Sequence, residues 1–224
     1  MRGEGEEGGR ARAALPALKV ERKYVGFMDI LGWSRRVLTN IEGSLELYDR
    51  LMDVWGSIPQ SQSGAVTLRV FSDSVIVVSD ELGPVLQAAN SLQFTALAHD
   101  CLLRGGIARG KHAERAGEAE LHVVSAPLIQ AAHLEQTISV PGVAIDSSAL
   151  PALNYAELER VPPIERTLLY FRGLWIVNPF NIMWCLSAAT RVRQLRDLSP
   201  EYAVKYEWFL ALHAAVDSGE RLIP

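Results

Sequence analysis

Phe27-Met28-Asp29-Ile30-Leu31-Gly32-Trp33-Ser34 reads as an apolar strand with one carboxylate near its end, stopped by a glycine turn. A second stretch, Leu68-Arg69-Val70-Phe71-Ser72-Asp73-Ser74-Val75-Ile76-Val77, has the same character. Two short strand-like runs flank Ser72-Asp73, which predicts a tight hairpin with its carboxylate at the tip. A solvated strand end would explain Asp29 alone, and Asp is an ordinary turn residue at position 73. Side by side at about 5 Å, in an effective dielectric near 20, two carboxylates repel by about 3 kcal/mol. A pair of divalent cations removes that penalty.

Composition narrows the possible partners. With 49% hydrophobic and 21% charged residues, the 224-residue chain has the make-up of a globular protein with a sizeable core. A formal charge of −4 argues against a general nucleic-acid or anionic-membrane surface. Cys101 and Cys185 are the only cysteines and form no CxxC, so neither a zinc site nor a disulfide framework is expected. A reducing, cytoplasmic setting fits that usage. No apolar run approaches the roughly 20 residues of a membrane span. The Gly/Glu/Arg-rich start reads as a disordered arm over 1–20, with no signal-peptide pattern.

Further elements follow from periodicity. Lys23 to Leu31 is the first strand, and Ser44 can cap a helix through Trp55. Pro59 to Gly64 reads as a polar loop, and Pro84 opens a helix with Val85, Leu86, Ala89, Leu92 and Ala96 on one face. A strand over Leu102 to Gly110 precedes an expected loop from His112 to Glu120. Pro127 starts a helix through Glu135; Val143 to Asp146 is a strand. Thr167–Phe171 and Leu174–Val177 form a pair turning at Arg172-Gly173. A last helix after Ser199-Pro200 places Val204, Trp208, Leu212 and Ala215 on one face. Trp175, Trp184 and Trp208 are expected in the core or at a subunit contact. Helices crossing over an antiparallel hairpin predict an α+β, ferredoxin-like core of the split βαβ type over 21–180, with a C-terminal helical extension over 181–224.

Three segments in this order resemble the class III nucleotidyl cyclase catalytic domain. Phe27, Asp29, Ile30, Gly32, Trp33 and Ser34 match its first strand, F-x-D-I-x-G-F-[ST]. Ser72-Asp73 and the strand after it match its hairpin; Arg104, Gly106, Ile107 and Gly110 match R-x-G-I-x-x-G. The local forms D-I-L-G, F-S-D-S and R-G-G-I are similar to the bacterial pyrimidine cyclases of Pycsar anti-phage systems.

That resemblance implies a site built from two subunits of a homodimer. Asp29, Asp73 and the Ile30 carbonyl would hold two Mn²⁺ or Mg²⁺ ions, with Asp29 and Asp73 catalytic. Gly32, Trp33 and Ser34 would present backbone N–H groups to the triphosphate, with Lys111 and, more loosely, Arg172 as cations. Arg69 falls at the base-reading position, where arginine offers only donors and shortens the pocket. The implied reaction is UTP to cyclic UMP, the product being read by a separate effector. CTP is the first alternative and a purine triphosphate the second. The same comparison puts Ile129 and His133 where the family keeps an asparagine and an arginine for the transition state. Neither replaces those groups chemically, so a degenerate nucleotide-binding module and a structural interaction domain also remain open.

Overall fold

A computed structural model describes residues 18–58, 65–116, 121–138, 140–182 and 184–224. The first strand, β1 (Glu21–Ile30), leads through the turn at Gly32 into two helices, α1 (Trp33–Thr39) and α2 (Ile41–Trp55). The hairpin β2 (Thr67–Phe71) and β3 (Ser74–Ser79) follows, then α3 (Leu82–Ala98) and the long β4 (Leu103–Ala116). After these come β5 (Leu121–Ser125), α4 (Ala126–Ile138), β6 (Gly142–Ile145) and a short helix, α5 (Tyr155–Arg160). A second hairpin, β7 (Leu168–Phe171) and β8 (Leu174–Val177), precedes α6 (Cys185–Leu198) and α7 (Ala203–Asp217). No described helix is long and apolar enough to cross a membrane.

The strands form one sheet in the order β2-β3-β1-β4-β6-β8-β7, and β5 pairs with β4. In its first half β1 lies antiparallel between β3 and β4. Each crossover, β1 to β2 and β3 to β4, thus spans an intervening strand, the split βαβ arrangement that the element order predicts.

Side-chain alternation along β1 decides which face each helix covers. Tyr24, Met28 and Ile30 are buried with Leu47, Leu51 and Trp55 of α2 and Val85 and Leu92 of α3. Each such large side chain contributes about 1.5–3 kcal/mol by leaving water. Phe27 and Asp29 point the other way, toward the face where α4 lies. There Gly106 lets the helix come close, since a Cβ on it would stand 2.4 Å from the Ala131 carbonyl oxygen. A second apolar cluster joins Leu169, Phe171 and Ile176 of the last hairpin to Trp208, Phe209 and Leu212 of α7. The C-terminal helices therefore share a core with the sheet. Trp175 and Trp208 are buried, and Trp184 packs edge-on against Phe94.

Several sequence expectations change. Asn40, not Ser44, caps α2: its side chain accepts from the Gly43 N–H, while Ser44 is buried one turn inside. Residues His112 to Ala116 are strand, because they pair with β5; the rest of that expected loop, 117–120, lies outside the described residues. So do the Pro59–Gly64 loop and the expected arm up to residue 17. Val204 is 85% exposed: it lies before the stretch of α7 that buries Tyr206, Trp208 and Phe209.

Candidate active site

The site forms where the Asp29 end of β1 meets the tip of the first hairpin. Asp29 pairs in register with Ser74 on one side and Arg104 on the other, and the Ile30 N–H donates to the Asp73 carbonyl at 3.2 Å. These backbone bonds bring the Asp73 carboxyl into hydrogen-bonding reach of Asp29. Ser72 holds the turn with φ 55°, a conformation that glycine adopts without cost and serine adopts at about 1 kcal/mol.

The Asp29 carboxyl is pushed up to about 6: burial raises it most, Arg104 pulls against that, and Asp73 adds to it. Arg104 donates to Asp29 Oδ2 from Nη2 at 3.0 Å and reaches Glu135 Oε1 from Nε at 2.6 Å. Glu135 is buried on α4, so this arginine ties helix to strand at the edge of the site. Arg104 falls inside a matched segment and Glu135 ends the helix expected from Pro127, yet spacing alone gives no sign that they reach Asp29. Their positions become meaningful only through the β1–β4 register.

Gly32 adopts φ 79°, ψ 11° and opens α1. A side chain there would be strained, and its Cβ would stand 3.1 Å from the Tyr202 ring. Trp33 is buried, its ring tilted against Tyr48 at 6.1 Å, so its side chain serves the core. Ser34 is exposed.

Other expected site residues lie elsewhere in the same chain. Lys111 pairs with Arg22 on β1, seven residues from Asp29, or roughly 23 Å along the strand. Arg172 sits at the β7–β8 turn, its guanidinium 5.0 Å from the Phe171 ring centre. The registers of β6 on β4 and of β8 on β6 direct that turn away from the Asp29 end. Neither cation meets the carboxylates within one chain. Arg69 is engaged on its own subunit, where Nη2 donates to Glu114 Oε1 at 2.6 Å. Ile129, 72% exposed, and His133 lie on the outward stripe of α4, opposite buried Pro127, Ala131 and Glu135.

The donor chemistry fits divalent cations. Two carboxyls in contact, one of them buried and raised, form a place where a cation relieves repulsion. No described group of three or more His, Cys, Asp or Glu side chains gathers as a metal cluster. A complete coordination shell would therefore draw on the Ile30 carbonyl, water and substrate oxygens, as magnesium sites commonly do.

No protein-family model matches the sequence, and no curated protein matches it. Solved structures do. The guanylyl cyclase Cya2 superposes with a TM-score of 0.54 at 12% identity, covering 74% of this chain and 95% of that one. A bacterial light-regulated adenylyl cyclase gives 0.55 at 14% identity, over 81% of this chain and 58% of the other. A class III adenylyl cyclase-like ATP-binding protein from Pseudomonas aeruginosa gives 0.51 at 12% identity, over 76% and 41%. At such identities the likeness is one of fold: the α+β architecture is that of the class III cyclase catalytic core.

Proposed function

We propose that this protein is a homodimeric, metal-dependent nucleotidyl cyclase with pyrimidine preference, converting UTP to 3′,5′-cyclic UMP and pyrophosphate. The observation that carries the reading is the contact between Asp29 and Asp73, on the fold that cyclases use. Mn²⁺ or Mg²⁺, held by Asp29, Asp73 and the Ile30 carbonyl, would activate the ribose 3′-hydroxyl and neutralise phosphate charge. In the reaction the 3′-oxygen bonds to the α-phosphorus as the bond to pyrophosphate breaks, and the hydroxyl proton passes to solvent. The chain's own part is orientation. Gly32, Trp33 and Ser34 turn their backbone N–H groups to the triphosphate, and the hairpin fixes the two carboxylates. Lys111 and Arg172, remote within one chain, could serve only a site completed by a second copy.

Arg69 supports the pyrimidine preference. Its donors suit the carbonyl oxygens of uracil or the O2 and N3 acceptors of cytosine, and its bulk shortens the pocket. Its ion pair with Glu114 would be exchanged for, or shared with, the base. The cyclic product would serve as a second messenger for a separate effector in cytoplasmic anti-phage defence, as the local D-I-L-G and F-S-D-S forms suggest.

One observation favours a second reading. Ile129 and His133 offer no amide or guanidinium from α4, which suits a module that binds a nucleotide without cyclising it. Incubation with each α-labelled triphosphate and Mn²⁺, followed by chromatography, separates the two. Cyclic UMP from wild type and none from Asp73→Ala is the expected result. Cyclic CMP, a purine product or no product at all would replace the uridylate assignment.

A further inference from the structure

The C-terminal helices bring a cation to the candidate site that the matched segments do not contain. Tyr202, just before α7, lies against the glycine turn: its ring would stand 3.1–3.3 Å from a Cβ on Gly32. It packs in one cluster with Leu31 and with Leu134 of α4. An ion pair of Arg35 with Glu201 at 2.6 Å ties the same stretch to α1. Lys205 follows within one helical turn, its Nζ 5.9 Å from the Tyr202 ring centre.

Lys205 is half-buried and makes no ion pair or hydrogen bond with another described residue. It faces Arg104 and Glu135: burial first, then Arg104, pushes its ammonium down, while Glu135 pulls it up. Arg104 is committed to Asp29 and Glu135, whereas the Lys205 charge is unmatched. An ammonium so placed gains most from an anion arriving beside it.

We propose that Lys205 binds the phosphate chain of the nucleotide held at Asp29 and Asp73, so that α7 adds a phosphate-binding cation from the same chain as the two carboxylates. The identity of the polyanion rests on the cyclase reading; the cation site itself rests on Tyr202 lying against the glycine turn and on Lys205 beside that ring.

The test titrates inorganic tripolyphosphate with Mn²⁺ into wild type, Lys205→Met and Lys205→Arg by calorimetry, alongside triphosphate kinetics. Methionine keeps an apolar stem against Tyr202, and Lys205→Gln takes its place should that variant fail to fold. Loss of a charge-assisted contact predicts about 10- to 100-fold weaker tripolyphosphate binding. KM should rise more than kcat falls, and arginine should restore most of the affinity. Unchanged affinity in Lys205→Met, or no tripolyphosphate binding by wild type, overturns the proposal even if cyclic product forms. Lys205-dependent binding without a cyclic product from any triphosphate upholds it and overturns the cyclase reading instead.

Discussion

Asp29 stands under opposed influences. Burial and Asp73 resist its ionisation, and Arg104 favours it, with a balance that leaves the carboxyl at about 6. Because that value lies above the ordinary one, the folded state holds a proton between about pH 4 and 6 that the unfolded chain releases. The stability tied to Asp29 is therefore fully present at low pH and is lost as pH rises through 6. Asp29→Asn cannot ionise. In the metal-free protein it should melt above wild type at pH 7.5, by on the order of 2 kcal/mol, and the gap should close by pH 4. A constant gap, or a variant less stable at pH 7.5, would mean that the Arg104 pair outweighs desolvation. Ile129 and His133 pose the complementary question on α4. Both are exposed, so Ile129→Asn with His133→Arg should change stability by no more than about 0.5 kcal/mol. If these positions face the reacting phosphate, the double variant gains turnover in the cyclisation assay; unchanged turnover removes α4 from the chemistry.

The approach of α4 to the sheet depends on glycine at one point. Gly106→Ala would drive a methyl into the Ala131 carbonyl and also crowd Leu134 Cβ, 3.0 Å away. The Ala131 carbonyl is backbone and Leu134 Cβ is fixed to it on the same helix, so neither can give way cheaply. A loss of roughly 2–4 kcal/mol is expected in denaturant unfolding, and with it a displacement of Glu135 from Arg104. A Gly106→Ala melting curve matching wild type would show that α4 is free to move. Elements with local signals were legible in the sequence. The β7–β8 hairpin follows from apolar runs around Arg172-Gly173, and the Ser72-Asp73 turn from its flanking strands. The bounds of strand β5 were not, because Leu121–Ser125 is held by pairing with β4 and carries little local signal. Helix α6 falls within the expected C-terminal helical extension, but its bounds were not legible: it buries only Cys185, Ala188, Ala189 and Val192, mostly small residues among arginines that carry a weak periodic signal. The carboxylate contact was readable because both residues end matched strands. Tyr202 and Lys205 were not, since nothing local announces that α7 returns to the first glycine turn.

The whole molecule leaves a question of partnership that one chain answers only in part. Asp29 and Asp73 sit together, but Arg69 is anchored to Glu114 on the long β4 strand and Lys111 stands roughly 23 Å from Asp29. On the proposed reading, a site that uses both sets joins the carboxylates of one copy to Arg69 and Lys111 of another, by a two-fold arrangement that makes two such sites. Mixing two inactive variants tests this directly. Asp73→Ala lacks the carboxylate but keeps Arg69; Arg69→Ala keeps the carboxylate and lacks the base contact. Each homodimer is dead at both sites. In a mixed dimer one site inherits both lesions and the other inherits neither. Random exchange at equal concentrations makes half the dimers mixed, so about one quarter of wild-type activity should return. Recovery should follow the rate of subunit exchange, read by native mass spectrometry or by energy transfer between differently labelled copies. No recovery despite demonstrated exchange would place Arg69 and Asp73 in the same copy's site.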